Sequence, residues 1–134
     1  MADLSNTYAQ KTLNCIFNKQ QLTPPSSLWF ALFTTNPTGA NTGTEVSGSG
    51  YSRVQITAMT FAELVAGNMQ VSNSSKISMP RATGDWTQSN YWAVMDAQTG
   101  GNLIVFEALV NSADVKTGEM PELNAGDLTI TISG

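Results

Sequence analysis

The fold is decided by residues 91–110, which read YWAVMDAQTGGNLIVFEALV. Two apolar stretches, Tyr91–Asp96 and Leu103–Val110, flank the polar segment Ala97–Asn102, which contains two consecutive glycines. Apolar stretches of this length on either side of a glycine-containing loop are typical of an antiparallel hairpin with a bulged turn. This part of the chain therefore predicts two paired antiparallel strands.

Further strand signals lie on both sides of this hairpin. Leu28–Phe33 is an unbroken apolar run, LWFALF, which predicts a strand buried on both faces. Leu128–Ile132, LTITI, alternates strictly and predicts a strand with one buried and one wet face. Shorter strands are expected at 51–56, 69–72 and 76–79. Residues 61–71 are compatible with a helical turn or with a turn that enters a strand.

One segment, from Ser5 to Gln20, has the character of a helix. Ser5 is a suitable N-cap, and the apolar residues on one predicted face are Tyr8, Leu13, Ile16 and Phe17. Pro24 and Pro25 prevent its continuation. The helix either covers one end of the core or serves as an arm that docks on a neighbouring protein.

Short strands, a single helix and the absence of a βαβ rhythm predict the fold class. We expect a mainly β protein, an antiparallel β-sandwich (Ig-like or jelly-roll-like) with one N-terminal α-helix. Residues 1–134 should form a single domain, with residues 1–22 as its helical arm.

Composition excludes several classes of function. Only 12% of the residues are charged, the net charge is −4, and lysine and arginine are not clustered, so we expect no nucleic-acid partner. There is no histidine and one cysteine, so neither a metal site nor any other cofactor is expected. No basic or apolar leader is visible, and no apolar run is long enough for membrane insertion. We expect assembly in the cytoplasm of a host.

Catalysis is the alternative to a binding or structural role. Glu119, Glu122 and Asp127 could act as paired carboxylates of a glycosidase, although aspartates at turns usually accept hydrogen bonds from nearby backbone. Ser49 lies in a glycine-rich stretch but has no histidine partner, and a pairing with Lys76 would be needed to activate it. We therefore predict no catalytic residues and no enzymatic activity.

Candidate partner contacts are four residues: Trp86, Tyr91, Glu45 and Tyr8. Trp86 and Tyr91 form an aromatic cluster with Trp92 around a turn and the start of a strand, and exposed aromatic faces can stack on sugars or anchor a partner. The alternative is burial, which we expect for at least two of these three aromatic residues.

Five sequence segments occur in an order that resembles a family of short phage proteins usually labelled phage tail fibre proteins. They are LWFALFT with NPT (residues 28–34 and 36–38), TEVSGSGYSR (44–53), PRATGDW (80–86), DAQTGGNL (96–103) and NAGDL (124–128). The preceding N-terminal helix matches as well, so the resemblance extends over most of the chain.

This resemblance implies a non-enzymatic structural protein of the virion, associated with the tail, and brings no catalytic or cofactor residues with it. Two alternatives remain open: a capsid cement or decoration protein that stabilises the phage head, and a receptor- or carbohydrate-binding module. The expected partners are other virion proteins, either tail or major capsid subunits. Further copies of this chain in a homo-oligomer and a host surface glycan are also candidates.

Overall fold

The structure is a computed structural model that describes residues 2–132. In chain order its elements are β1 (Asp3–Leu4), α1 (Asn6–Asn18), β2 (Leu28–Phe33), β3 (Val54–Ile56), β4 (Glu63–Val65), β5 (Asn68–Ser72), β6 (Ile77–Ser78), β7 (Ser89–Met95), β8 (Leu103–Ala113), β9 (Glu122–Leu123) and β10 (Thr129–Ile132). No helix among these residues is long and apolar enough to cross a membrane.

The predicted hairpin of residues 91–110 is confirmed as β7 and β8. These strands pair in an antiparallel register from Ser89 opposite Ala113 to Met95 opposite Leu103. They lie within a five-stranded antiparallel sheet of order β1-β8-β7-β2-β3. This sheet, which we call the main sheet, is the framework on which the other elements pack.

Strand β2 confirms the prediction of burial on both faces. Phe30 and Leu32 point into one buried cluster, whereas Ala31 and Phe33 belong to another. Successive side chains on a strand project to opposite faces, so the two clusters lie on opposite sides of the main sheet. The uninterrupted apolar run follows directly from this double burial.

A second layer packs against one face of the main sheet. It contains a three-stranded antiparallel sheet of order β10-β5-β4, which we call the outer sheet, and the two-stranded ribbon of β6 and β9. Ile77, Leu123 and Ile130 from these strands pack in the same cluster as Phe30 and Leu32 of the main sheet. The architecture is therefore mainly β, antiparallel and sandwich-like, with one N-terminal helix, as the sequence predicts.

Helix α1 begins as predicted, but its buried face is different. The Ser5 hydroxyl accepts a hydrogen bond from the Tyr8 backbone N–H at 3.2 Å, and Lys19 ends the helix in the left-handed conformation. Tyr8 is buried, whereas Leu13, Ile16 and Phe17 are exposed. In a 3.6-residue helix these three lie roughly 80–180° round the axis from Tyr8. The prediction of one shared apolar face was wrong.

The uncertain segment 61–71 forms a β-hairpin rather than a helical turn. Val65 of β4 pairs with Asn68 of β5. Ala66 and Gly67 connect them with φ values of 49° and 85°. Positive φ at both central residues is the signature of the tight turn that matches the twist of paired strands.

Candidate functional site

Glu45 and Arg53 form a polar contact that joins three segments of the chain. The Arg53 Nε and Nη2 atoms donate to the Glu45 carboxylate at 3.0 and 2.9 Å. Its Nη1 donates to the carbonyls of Ala97 and Gly100, both at 2.8 Å. The Arg53 side chain is only 8% exposed. This fork therefore fastens the β7–β8 loop to the segment that precedes β3.

Tyr51 extends the same network towards the core. Its hydroxyl donates to Glu45 at 2.6 Å and accepts from the Leu32 backbone N–H at 3.1 Å. Burial, reinforced by the hydrogen bond to Glu45, raises the pKa of Tyr51 above its usual range. Glu45, one of the predicted partner contacts, is half-buried in an internal bond network.

Trp86 is buried at 5% exposure in the cluster between the two layers. Its ring meets Tyr51 edge-on with centroids 5.2 Å apart, and its indole N–H donates to the Ser49 carbonyl at 3.0 Å. Trp92 is also buried, whereas Tyr91 is half-buried on the opposite face of the main sheet. Burial of at least two of the three aromatic residues is thus confirmed, and Trp86 offers no open face for stacking in this structure.

Tyr8, the remaining predicted contact, anchors the helix to the main sheet. Its hydroxyl donates to Asp96 at 2.9 Å, and the Asn102 backbone N–H donates to the same carboxylate at 2.6 Å. Burial raises the pKa of Tyr8 to about 12, with a further contribution from Asp96. Burial opposes ionisation of Asp96, but the hydrogen bonds from Asn102 and Tyr8 outweigh it and hold the pKa of Asp96 below its ordinary value.

Glu45 and Trp86 both contact Tyr51, whereas Tyr8 and Tyr91 lie in other contacts, so the structure does not gather these four residues into one surface. The carboxylates considered for catalysis are engaged locally. Glu119 and Asp127 each accept from a backbone N–H three residues away, and Glu122 pairs with Lys76. Among residues 2–132, no group of three or more histidine, cysteine, aspartate or glutamate side chains is placed to hold a metal ion.

Two apolar surfaces of residues 2–132 are open to solvent. The sequence predicts the residues of the first only as part of one face with Tyr8, and it does not reveal the second. The first, the helix stripe, consists of Leu13, Ile16 and Phe17, which are 56%, 64% and 74% exposed. Their i, i+3, i+4 spacing places them on one side of α1. A helical wheel centred on Tyr8 would have separated the stripe from the buried face.

The second surface, the sheet row, consists of Leu64, Met69 and Ile132. Leu64 lies opposite Met69 and Met69 opposite Ile132, so the row crosses all three strands of the outer sheet. The alternation in NMQVS and LTITI is the sequence signal for one apolar face. That signal could not show that part of the face is left uncovered.

A family model described as podophage GP4 fiber I protein gp80 matches residues 3–131. This match covers nearly the whole chain and confirms the resemblance to phage tail fibre proteins. No curated protein matches the chain.

Proposed function

Because the chain belongs to this family of podophage fibre proteins, we propose that it is a non-enzymatic, tail-associated structural module of a bacteriophage virion. It acts by binding other virion proteins rather than by transforming a substrate. The observation that carries this proposal is family membership over residues 3–131.

The helix stripe supports the proposed attachment to a neighbouring tail protein. The Ser5 cap and the Tyr8–Asp96 hydrogen bond fix α1 on the domain, while Leu13, Ile16 and Phe17 face solvent. Amphipathic helices whose apolar residues have this i, i+3, i+4 spacing bind in apolar grooves of partner proteins. Within the predicted arm of residues 1–22, β1 and Tyr8 hold the start on the domain, and the part of α1 that follows Tyr8 inserts this stripe into such a groove on another tail component.

The surface chemistry suits a permanently assembled particle. Charged residues make up 12% of the chain, about half the usual share, and the polar surface is built from neutral side chains. Contacts between such surfaces depend little on ionic strength and desolvate few charges. The absence of histidine and the local engagement of Glu119, Glu122 and Asp127 support a role without catalysis.

Family membership favours a place in the tail over a place in the capsid, so we do not propose a cement or decoration role. The receptor- or carbohydrate-binding alternative loses its main support, because Trp86 is buried and hydrogen-bonded through its indole N–H.

The attachment is tested with the double variant Leu13→Gln/Phe17→Gln in the phage that encodes this protein. Both side chains are largely exposed, so the isolated variant should keep its circular dichroism spectrum and its unfolding midpoint. We expect its copy number in purified virions, measured by quantitative mass spectrometry, to fall roughly tenfold or more, since two apolar anchors are lost.

The matched control is Thr7→Ala/Gln10→Ala, which alters exposed polar positions of the same helix. This control should be incorporated at the wild-type level. Incorporation of Leu13→Gln/Phe17→Gln at the wild-type level would contradict the proposed attachment through the arm. Absence of the wild-type protein from virions would contradict the structural role itself.

A further inference from the structure

Strand β8 is paired along only part of one of its two edges. The two residues of β1 cover this edge at Val105 and Phe106, and no other strand of residues 2–132 lies on that side. The stretch of β8 beyond β1, residues 108–113, is therefore uncovered there, and we call this side of it the open edge. On the other side, β8 loses its register with β7, since residues 109–112 lie opposite Asn90 alone.

The open edge lacks two features by which proteins usually protect an unpaired strand. Charged side chains and proline commonly prevent a further strand from pairing at such an edge. Residues 108–113 read ALVNSA, without charge or proline, and Val110 is 98% exposed. The backbone N–H and C=O groups along an edge of this kind match those of another extended chain.

The direction of these backbone groups follows from the paired part of β8. The Ile104 carbonyl accepts from the Ser5 backbone N–H at 2.7 Å, so Ile104 directs its backbone polar groups to the edge that β1 occupies. Groups on alternate residues of an antiparallel strand point to the same edge. Ala108 and Val110 therefore direct their N–H and C=O groups to the open edge.

Two cavities lie between the layers beside the open edge. The first, of about 180 Å³, is lined by core residues such as Met79, and the second, of about 280 Å³, is lined in part by Trp92. Phe30, Leu109 and Leu123 line both cavities, so the two adjoin each other. An apolar cavity of about 150 Å³ accepts a benzene molecule. Each of these cavities therefore has room for a large apolar side chain.

The edge and the cavities coincide in position and fit the same occupant. Leu109 and Ala113 belong to residues 108–113 and also line the first cavity. A strand lying along the open edge projects every second side chain to the same side, so its alternate residues would enter the cavities while its backbone pairs with β8. A small apolar molecule would fill a cavity but leave the backbone groups of β8 unpaired. Ala2, which precedes β1 on this edge, already packs against the cluster between the layers.

The surroundings of the two cavities, and of a third that adjoins the first, are acidic. Within residues 2–132 their lining includes no basic residue and five acidic ones: Glu107, Asp114, Glu119, Glu122 and Asp127. Lys76 pairs with Glu122 and compensates one of these charges. Electrostatic complementarity therefore favours an extended partner with lysine or arginine at the positions between its apolar side chains.

We propose that the open edge binds an extended segment of a neighbouring virion protein, which adds a strand to the main sheet beside β8. The apolar side chains of this segment fill the two cavities, and its basic side chains lie near the acidic residues around them. In this mode of recognition, backbone hydrogen bonds supply affinity and the pockets for alternate side chains supply specificity. Only the assignment of the segment to a virion protein rests on the proposed tail role.

Binding is tested by amide hydrogen exchange of the purified, nitrogen-15-labelled protein. The probe is an acetylated heptapeptide amide of alternating lysine and leucine. With this lysine peptide in excess, the amides of Ala108 and Val110 should exchange roughly tenfold or more slowly, because they become hydrogen-bonded. The amides of Gln98 and Thr99, in the β7–β8 loop, are the internal control and should exchange at an unchanged rate.

The charge and the cavities are tested separately. A peptide with glutamate in place of lysine should not protect Ala108 and Val110, because the residues around the cavities are acidic. Ala113→Leu fills part of the first cavity and should weaken binding of the lysine peptide roughly tenfold or more, measured by NMR titration. The matched control is Ala125→Leu, in an exposed turn outside these cavities, which should bind this peptide like the wild type.

Four results would overturn the proposal. Unchanged exchange at Ala108 and Val110 with the lysine peptide would exclude strand addition, and equal protection by the glutamate peptide would exclude a basic partner. Wild-type affinity of Ala113→Leu would exclude insertion into the first cavity. Slow exchange of the two amides without any peptide, together with sedimentation as a dimer, would assign the open edge to a second copy. All of these measurements use isolated protein, so their failure is distinguishable from a failure of the tail role.

Discussion

At the scale of single residues, Asn73 joins two parts of the chain that lie more than 50 residues apart in sequence. It is buried at 1% exposure. Its Nδ2 donates to the carbonyls of Ser75 and Asn124, and its Oδ1 accepts from the backbone N–H groups of Gly126 and Leu128. A buried polar group is tolerated when its hydrogen bonds are made. Asn73 therefore joins the end of β5 to the turn that begins β10.

Replacing Asn73 by alanine should destabilise the protein by about 2–4 kcal/mol, because Asn73→Ala leaves buried donors and acceptors without partners. The free energy of unfolding is measured by urea titration. Asn18→Ala, which removes an exposed hydrogen bond between Asn18 and Asn14, is the control and should change stability by less than about 0.5 kcal/mol. Equal effects of the two substitutions would contradict the role assigned to Asn73.

The Tyr8–Asp96 contact predicts a pH dependence of stability on the acid side. The pKa of Asp96 is lower in the folded than in the unfolded chain. Its stabilising contribution is therefore complete above the ordinary aspartate pKa of about 4 and is lost as the pH falls through the lower folded value. Tyr8→Phe removes one hydrogen bond that lowers this pKa, so its stability should fall less steeply than that of the wild type between about pH 5 and pH 2.

The measurement is the unfolding midpoint at a series of pH values for the wild type and Tyr8→Phe. Thr7→Ala, an exposed neighbour on α1, should give a curve parallel to the wild type. A Tyr8→Phe curve that also stays parallel to the wild type throughout would show that the tyrosine hydroxyl does not hold the Asp96 pKa down.

At the scale of elements, local signals predict those parts of the fold that local chemistry determines. The Ser5 cap, the double burial of β2 and the β7–β8 hairpin follow from short stretches of sequence. The buried face of α1 does not follow from a short stretch of sequence. Whether Tyr8 or the helix stripe is buried depends on where β8 and Asp96 lie. The Arg53 fork could likewise not be predicted from the sequence, since two of its acceptors lie in a loop 44 and 47 residues away.

The β4–β5 hairpin contains a residue whose conformation its side chain disfavours. Ala66 has a φ of 49°, in the left-handed region, where asparagine is better tolerated than alanine. Asparagine followed by glycine is the preferred pair for such a turn. Ala66→Asn should therefore stabilise the protein by about 0.5–1 kcal/mol.

Thermal unfolding measures this effect, and Ala125→Asn is the control. Ala125 is an exposed turn residue that is not among those with positive φ. Its substitution should leave the unfolding midpoint nearly unchanged. A loss of stability in Ala66→Asn would contradict the turn conformation described for this hairpin.

At the scale of the whole molecule, the domain combines a doubly buried main sheet with two open apolar surfaces. The helix stripe and the sheet row lie on different elements, α1 and the outer sheet. Family membership was accessible from the ordered motifs, whereas the two surfaces required the packing of the chain to be known.

The central claim, a structural role in the phage tail, is tested most directly by a cryo-EM reconstruction of the intact virion of the phage that encodes this protein. We predict density for this fold at the tail, with α1 inserted in a groove of a neighbouring tail protein. Density for this fold confined to the capsid surface, or absent from the mature particle, would contradict the account.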